Sequence, residues 1–172
     1  MMYHASFQNT LEGRWRMLPS IRAGQVPPGF PEPKRCVTVE RGGVPLARID
    51  VYEEYLGAFE ELIVWGRWIV IGLGSSAHLV DPVARQTHSL ACDSYFGHLY
   101  PLEKHLLIAS DSALQCLDEQ GELMWRREHL GLDGVIVHEV LDDVIKGEGE
   151  WDPPGGWRPF RLSLASGVSL PV

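Results

Sequence analysis

The sequence predicts an all-β protein: about three four-stranded, blade-like sheets preceded by an extended N-terminal arm. Three observations lead there. A pattern of apolar and turn residues recurs without a gap at a spacing of 37. Each copy holds short apolar or alternating runs of strand length. Turn residues fall between those runs where hairpins need them.

The elements follow in order. Residues 1–35 are rich in Pro and Gly and end in Val26-Pro27-Pro28-Gly29-Phe30-Pro31-Glu32-Pro33-Lys34. Each X-Pro step biases its neighbour towards extended backbone, so this stretch reads as an extended or polyproline-like arm. A short helix around residues 11–18 is the local alternative. Residues 36–40 and 44–51 flank Arg41-Gly42-Gly43 and read as a hairpin. Pro45 has no N–H to give a ladder, so it belongs to an edge strand or to a strand's start. Residues 52–61 fit one or two helical turns.

The repeat begins next. Trp68-Ile-Val-Ile-Gly-Leu-Gly-Ser-Ser-Ala-His-Leu-Val-Asp81 aligns with His105-Leu-Leu-Ile-Ala-Ser-Asp-Ser-Ala-Leu-Gln-Cys-Leu-Asp118. A looser third copy is split between Val144-Ile-Lys-Gly-Glu-Gly-Glu150 and Phe160-Arg-Leu-Ser-Leu-Ala-Ser-Gly167. Leading strands are expected at 61–65, 95–102 and 134–141, and trailing strands at 86–91, 122–127 and 168–170. Hairpin turns fall at Gly66-Arg67, Glu103-Lys104 and Asp142-Asp143. Four strands in every ~40 residues is the arithmetic of a β-propeller blade. Residues 36–172 are therefore expected as one β-repeat domain, with blades near 61–98, 99–134 and 135–172.

The middle copy carries a resemblance. Leu117-Asp118-Glu-Gln-Gly121-Glu-Leu-Met-Trp125 resembles the D-x-x-G-x-x-x-W element of quinoprotein-type (PQQ-like) propeller repeats. The resemblance implies that Asp118 and Gly121 shape the last turn of a blade and that Trp125 docks between blades. The first copy departs from it: Pro82-Val83-Ala84 follow Asp81, and His88 stands at the Trp position. The third has Leu164 at the Asp position and keeps Gly167. The segment 147–167, containing GEGEWDPPGGW, also resembles a stretch of uncharacterised bacterial proteins. Three blades are a partial or half propeller, since closed rings have at least four. The 36–51 hairpin is expected to complete or cover the stack, or else two chains pair as a homodimer.

Composition excludes several function classes. The 172 residues carry 15 Lys+Arg against 23 Asp+Glu, for a net charge of -8. A nucleic-acid or anionic-membrane surface needs basic charge, so neither partner is expected. The imbalance is uneven: seven basic and three acidic residues lie in 1–48, eight and twenty in 49–172. Cys36, Cys92 and Cys116 show no CxxC spacing, which speaks against both a disulfide framework and a zinc site. Cys92 and Cys116 read as small core residues. No apolar signal region begins the chain, so a cytoplasmic location is expected, and three Lys against twelve Arg with Asn9 as the single Asn point to a GC-rich bacterial genome.

Four features bear on chemistry. Gly72-Leu-Gly74-Ser-Ser-Ala77 has the letters of a dinucleotide fingerprint, but Pro82 breaks the helix that a pyrophosphate requires. A strand end and tight turn explain these glycines better, and no cofactor is expected. The seven histidines show no metal-ligand spacing, and His78 and His88 read as partly exposed sheet positions. Asp142, Asp143, Glu148 and Glu150 form an acidic run that reads either as a solvated strand face or as a cation site. The loop holding Trp151, Asp152, Trp157 and Arg158 reads either as a contact surface for a ligand or partner, or as an aromatic plug between blades. The leading expectation is a non-enzymatic, self-associating protein-binding module, including the immunity type. The rival is a small hydrolase or lyase using His and carboxylates on blade rims. A dinucleotide oxidoreductase stands last.

Overall fold

A computed structural model describes residues 3–171. The chain is all-β, with four sheets of three or four strands, and it forms two compact units divided after Ala91. That division falls inside the stretch expected as a single domain.

The first unit contains two sheets. Strands β1 (Tyr3–Gln8), β2 (Ser20–Ala23), β3 (Arg35–Arg41) and β4 (Val44–Val51) lie in the order β1-β3-β4-β2, with β2 parallel to β4 and the other pairs antiparallel. The single turn of helix α1 (Arg14–Met17) separates β1 from β2. The N-terminal arm is thus extended, but residues 3–8 and 20–23 pair at the two edges of the 36–51 hairpin. The physical reason is a period-2 alternation that the later prolines mask. Tyr3, Ala5 and Phe7 pack against the core on one face of β1, and Ile21 and Ala23 do so on β2. Pro45 sits one residue into β4, where β2 does not reach, since Ser20 pairs only as far back as Arg48. No ladder bond is lost there.

The second sheet of this unit is a meander of β5 (Glu61–Trp65), β6 (Trp68–Leu73), β7 (Ser76–Asp81) and β8 (Gln86–Ala91). The two sheets bury a shared apolar core that includes Val37, Ile49, Val51, Ile69, Ile71 and Leu73. Residues 52–60 form an irregular loop rather than helical turns. Arg35 fixes its end through a two-pronged pair with Glu60 at 2.9 and 2.6 Å.

The second unit repeats the meander. Strands β9 (Phe96–Pro101), β10 (His105–Ser110), β11 (Leu114–Asp118) and β12 (Leu123–Arg127) lie in sequence order. Strands β13 (Val135–Leu141), β14 (Val144–Glu150) and β15 (Trp157–Ser163) form a three-stranded sheet. The hairpins β6–β7 and β10–β11 are the aligned repeat copies, and both are the central strands of their sheets. The fourth strand expected at 168–170 shrinks to a bridge between Leu162 and Ser169. Pro171 follows directly and offers no N–H to extend the pairing. Leu107, Leu114, Cys116, Val135, Ile145 and Leu162 belong to the core between the sheets of this unit.

Candidate functional site

The loop predicted from sequence lies at the end of the β14–β15 hairpin. Glu150 and Trp157 pair across the ladder, and residues 151–156 bulge out between them. Internal bonds shape the bulge: Gly155 N–H donates to Glu150 Oε1 at 2.5 Å, and Trp151 N–H donates to Gly156 O at 3.2 Å. The Arg158 guanidinium lies 5.5 Å from the centre of the Trp151 ring, within cation–π range. Segment 130–134 runs alongside, with Leu132 N–H donating to Glu150 O at 2.6 Å. Tyr95 holds that segment by donating to Asp133 O at 2.8 Å, and burial pushes its hydroxyl pKa well above the usual tyrosine value. Trp157 rests its ring on Gly134, where an added Cβ would come within 3.0 Å of Cη2. It still exposes 39% of its surface, beside Leu132 at 60%. Trp151, Asp152, Trp157 and Arg158 therefore share one hairpin end, and Trp157 both fills a gap and faces outward.

The acidic run does not converge. Asp142 and Asp143 occupy the β13–β14 turn with φ of 50° and 59°, at the opposite end of β14 from Glu150. Seven strand steps at ~3.3 Å put roughly 23 Å between the two ends. Glu148 instead meets His138 at 3.2 Å. Ile145, Gly147 and Gly149 form the buried face of β14. Among the described residues, no group of three or more His, Cys, Asp or Glu side chains is placed to hold a metal ion.

The turn motif of the middle copy has a definite geometry. Asp118 Oδ1 accepts from the N–H of Gln120 and of Glu122, both at 2.9 Å, and Gly121 N–H donates to Asp118 O at 2.9 Å. Trp125 Nε1–H donates to Leu164 O at 2.7 Å, joining the two sheets of its unit. In the first copy Asp81 Oδ1 accepts from Val83 and Ala84 at 2.9 and 2.8 Å, so the Asp function persists without the Gly. His88, at the Trp position, meets Trp68 edge-on at 5.4 Å. The glycines of the apparent dinucleotide motif end β6 and form the tight turn into β7, a strand rather than a helix.

A second site, in the first unit, was not read from sequence. A cavity of about 580 Å³ opens beside β7, β8 and the 52–60 loop, lined by Arg22, Gln25, Ser75, Thr87 and others. At its wall lies a chain of three side chains. Ser89 stands directly opposite His78 in the β7–β8 ladder, with its Oγ 2.8 Å from His78 Nδ1. His78 Nε2 lies 3.1 Å from Glu53 Oε1. Ser89 is exposed, whereas His78 and Glu53 are 1% and 7% exposed. His78 is thus not the partly exposed sheet position expected. The 52–60 loop covers that face of the sheet, and period-2 alternation cannot register a cover made of irregular chain.

Two glycines make the cover fit. Gly24 has φ of 85°, and an added Cβ would lie 2.2 Å from Tyr52 O and 3.3 Å from His78 Cε1. Gly74 has φ of 60°, and its Cβ would lie 2.7 Å from Tyr55 O and 2.9 Å from Glu53 Oε2. Both positions require left-handed backbone and empty side-chain space. Gly24, an isolated glycine away from any hairpin tip, is the signal of this cover that the sequence carries. Thr87 Oγ donates to Arg22 O at 2.9 Å and ties β2 to β8, setting Arg22 along the cavity.

The thiols are poor nucleophiles. Burial, joined by Asp50, pushes Cys36 up to about 11, and burial, joined by Asp118, pushes Cys116 up to about 12. Cys92 and Cys116 are buried in the core as expected.

Compared with known protein families and with curated proteins, the chain matches none. Among solved structures it is similar to AztD of Citrobacter koseri, with 18% sequence identity and a TM-score of 0.49 over 81% of this chain. It spans 42% of that protein's length. Among the described residues, no helix is long and apolar enough to cross a membrane.

Proposed function

We propose that the chain is a protein-binding module whose second unit engages a basic partner protein through the hairpin end carrying Trp151, Trp157 and Arg158. The observation that carries this reading is the outward placement of Trp157 and Leu132 beside an Arg-stacked Trp151, on backbone fixed by Glu150 and Gly155. Trp and Arg anchors on a pre-ordered surface are what binding hot spots are made of, because little side-chain entropy is lost on contact.

Charge favours a basic partner. Residues 1–91 contain nine basic and nine acidic side chains, whereas 92–172 contain six and fourteen, so the second unit holds the whole net charge of -8. Such a surface steers a basic partner and repels an acidic one. An immunity-type protein that covers a basic target is the narrowest form of this proposal. Self-association is its companion: β12 is an edge strand that exposes Leu123 and Met124.

Selection of a displayed random-peptide library against the protein tests the reading. Binders enriched in Lys and Arg, weakened by salt and lost with Trp157→Ala, support it. Binders without basic character, or unaffected by Trp157→Ala, contradict it. Light scattering at tens of micromolar tests the companion, and a strict monomer removes it.

A further inference from the structure

We propose that Ser89, His78 and Glu53 form an acyl-transfer site in the first unit, which hydrolyses short polar esters. This goes beyond the binding role of the second unit and rests on different residues.

The geometry meets the requirements for an activated serine. The nucleophile lies within hydrogen-bond reach of a base, and a third group orients that base. Here those contacts are 2.8 Å from Ser89 Oγ to His78 Nδ1 and 3.1 Å from His78 Nε2 to Glu53 Oε1. An ionised carboxylate only accepts hydrogen bonds, so Glu53 selects the tautomer with its proton on Nε2. Nδ1 then carries a lone pair aimed at the Ser89 hydroxyl. Base and orienting carboxylate are buried while Ser89 is exposed and lines the cavity, the division of burial that a nucleophile needs to meet substrate. Gly24 and Gly74 admit the two backbone segments that close over His78 and Glu53. A structural hydrogen-bonded histidine needs none of this access: its partners serve equally well when sealed from solvent.

The steps balance. Ser89 Oγ attacks the ester carbonyl carbon while its proton passes to His78 Nδ1. The carbon–oxygen bond to the alcohol breaks, and Nδ1 returns the proton to the leaving oxygen. The acyl group remains on Ser89 Oγ. A water then attacks the acyl carbon, giving one proton to Nδ1, which passes it to Ser89 Oγ as that bond breaks and the carboxylic acid leaves. Arg22 is the cation among the side chains lining the cavity, and it is the group available to the developing oxyanion. The hydroxyls of Ser75, Ser76 and Thr87 and the amide of Gln25 fit a polar substrate, and the cavity of about 580 Å³ fits a small one. Glu53 acts through His78 and is a positioning residue.

The test is reaction of the full chain with a fluorophosphonate probe, read by intact mass and peptide mapping, alongside turnover of p-nitrophenyl acetate. The expected result is one label per chain, on Ser89, and none in Ser89→Ala. His78→Gln is expected to slow labelling by about 100-fold or more. Glu53→Gln keeps a polar side chain of the same size and guards against failure of the His78 variant to fold. Its labelling rate is expected to fall by about 10-fold or more while its Tm stays within a few degrees of the parent. A purely structural role for Glu53 would lower Tm and leave the labelling rate of the folded chain in place. Absence of label on Ser89 in the wild-type chain, or equal labelling in a folded His78→Gln variant, overturns the assignment. So does an unchanged labelling rate in a folded Glu53→Gln variant.

Discussion

In the first unit a histidine and a glutamate lie inside the protein and face each other across 3.1 Å. In the second, half-buried or exposed rings lie over glycines: Trp125 seats on Gly167, Trp157 on Gly134 and Phe160 on Gly147. The first unit is charge-balanced, and the second carries fourteen acidic against six basic groups. The same strand-turn-strand unit thus supports two uses. Where an irregular loop covers the sheet, polar groups are taken inside and a cavity forms beside them. Where rings close the sheet, the hairpin end stays outside as surface.

The comparison breaks most readily at the cover of the first unit. Gly24→Ala puts a methyl against the Tyr52 carbonyl in left-handed backbone, and destabilisation of about 4 kcal/mol is expected in urea unfolding. Glu53→Ala comes next, at about 3 kcal/mol, because it leaves His78 buried without its acceptor. If Glu53→Ala is neutral, the polar interior of the first unit is not what holds its loop. In the second unit, Trp125→Phe keeps a ring but loses the bond to Leu164 O, and about 1 kcal/mol is expected.

The effect that is smallest at neutral pH is a pH dependence shared by both units. Cys36 and Cys116 rise from 9.0 to about 11 and about 12, so the folded chain holds protons that the unfolded chain releases. Their contribution is complete below pH 9 and is lost as pH climbs through 11 to 12. The matching observation is slow alkylation of both thiols at pH 8. Rapid reaction of either one contradicts its burial.

The two units also differ in how far they could be read from sequence. The repeat hairpins, their turns and the Asp118–Trp125 geometry rest on local alternation and turn chemistry, which neighbouring residues encode. The edge strands at 3–8 and 20–23 were hidden because pairing partners lie 28 or more residues away in the 36–51 hairpin. Trp151, Trp157 and Arg158 sit within one hairpin end, so their grouping was legible. Ser89, His78 and Glu53 come from two adjacent strands and a loop in another part of the chain. Nothing short-range links Glu53 to His78, 25 residues on. Proximity in sequence also misled: Asp142 and Glu150 look clustered in the text and lie at opposite ends of one strand.

The division of labour between units is tested most directly by Trp157→Ala, with affinity for a selected basic peptide and Tm measured on the same sample. Because Trp157 is 39% exposed, Tm is expected to fall by a few degrees at most. Affinity is expected to drop by about 30-fold, the loss of a hot-spot anchor of about 2 kcal/mol. A large fall in Tm with affinity intact would make Trp157 a plug and contradict the outward role assigned to the second unit.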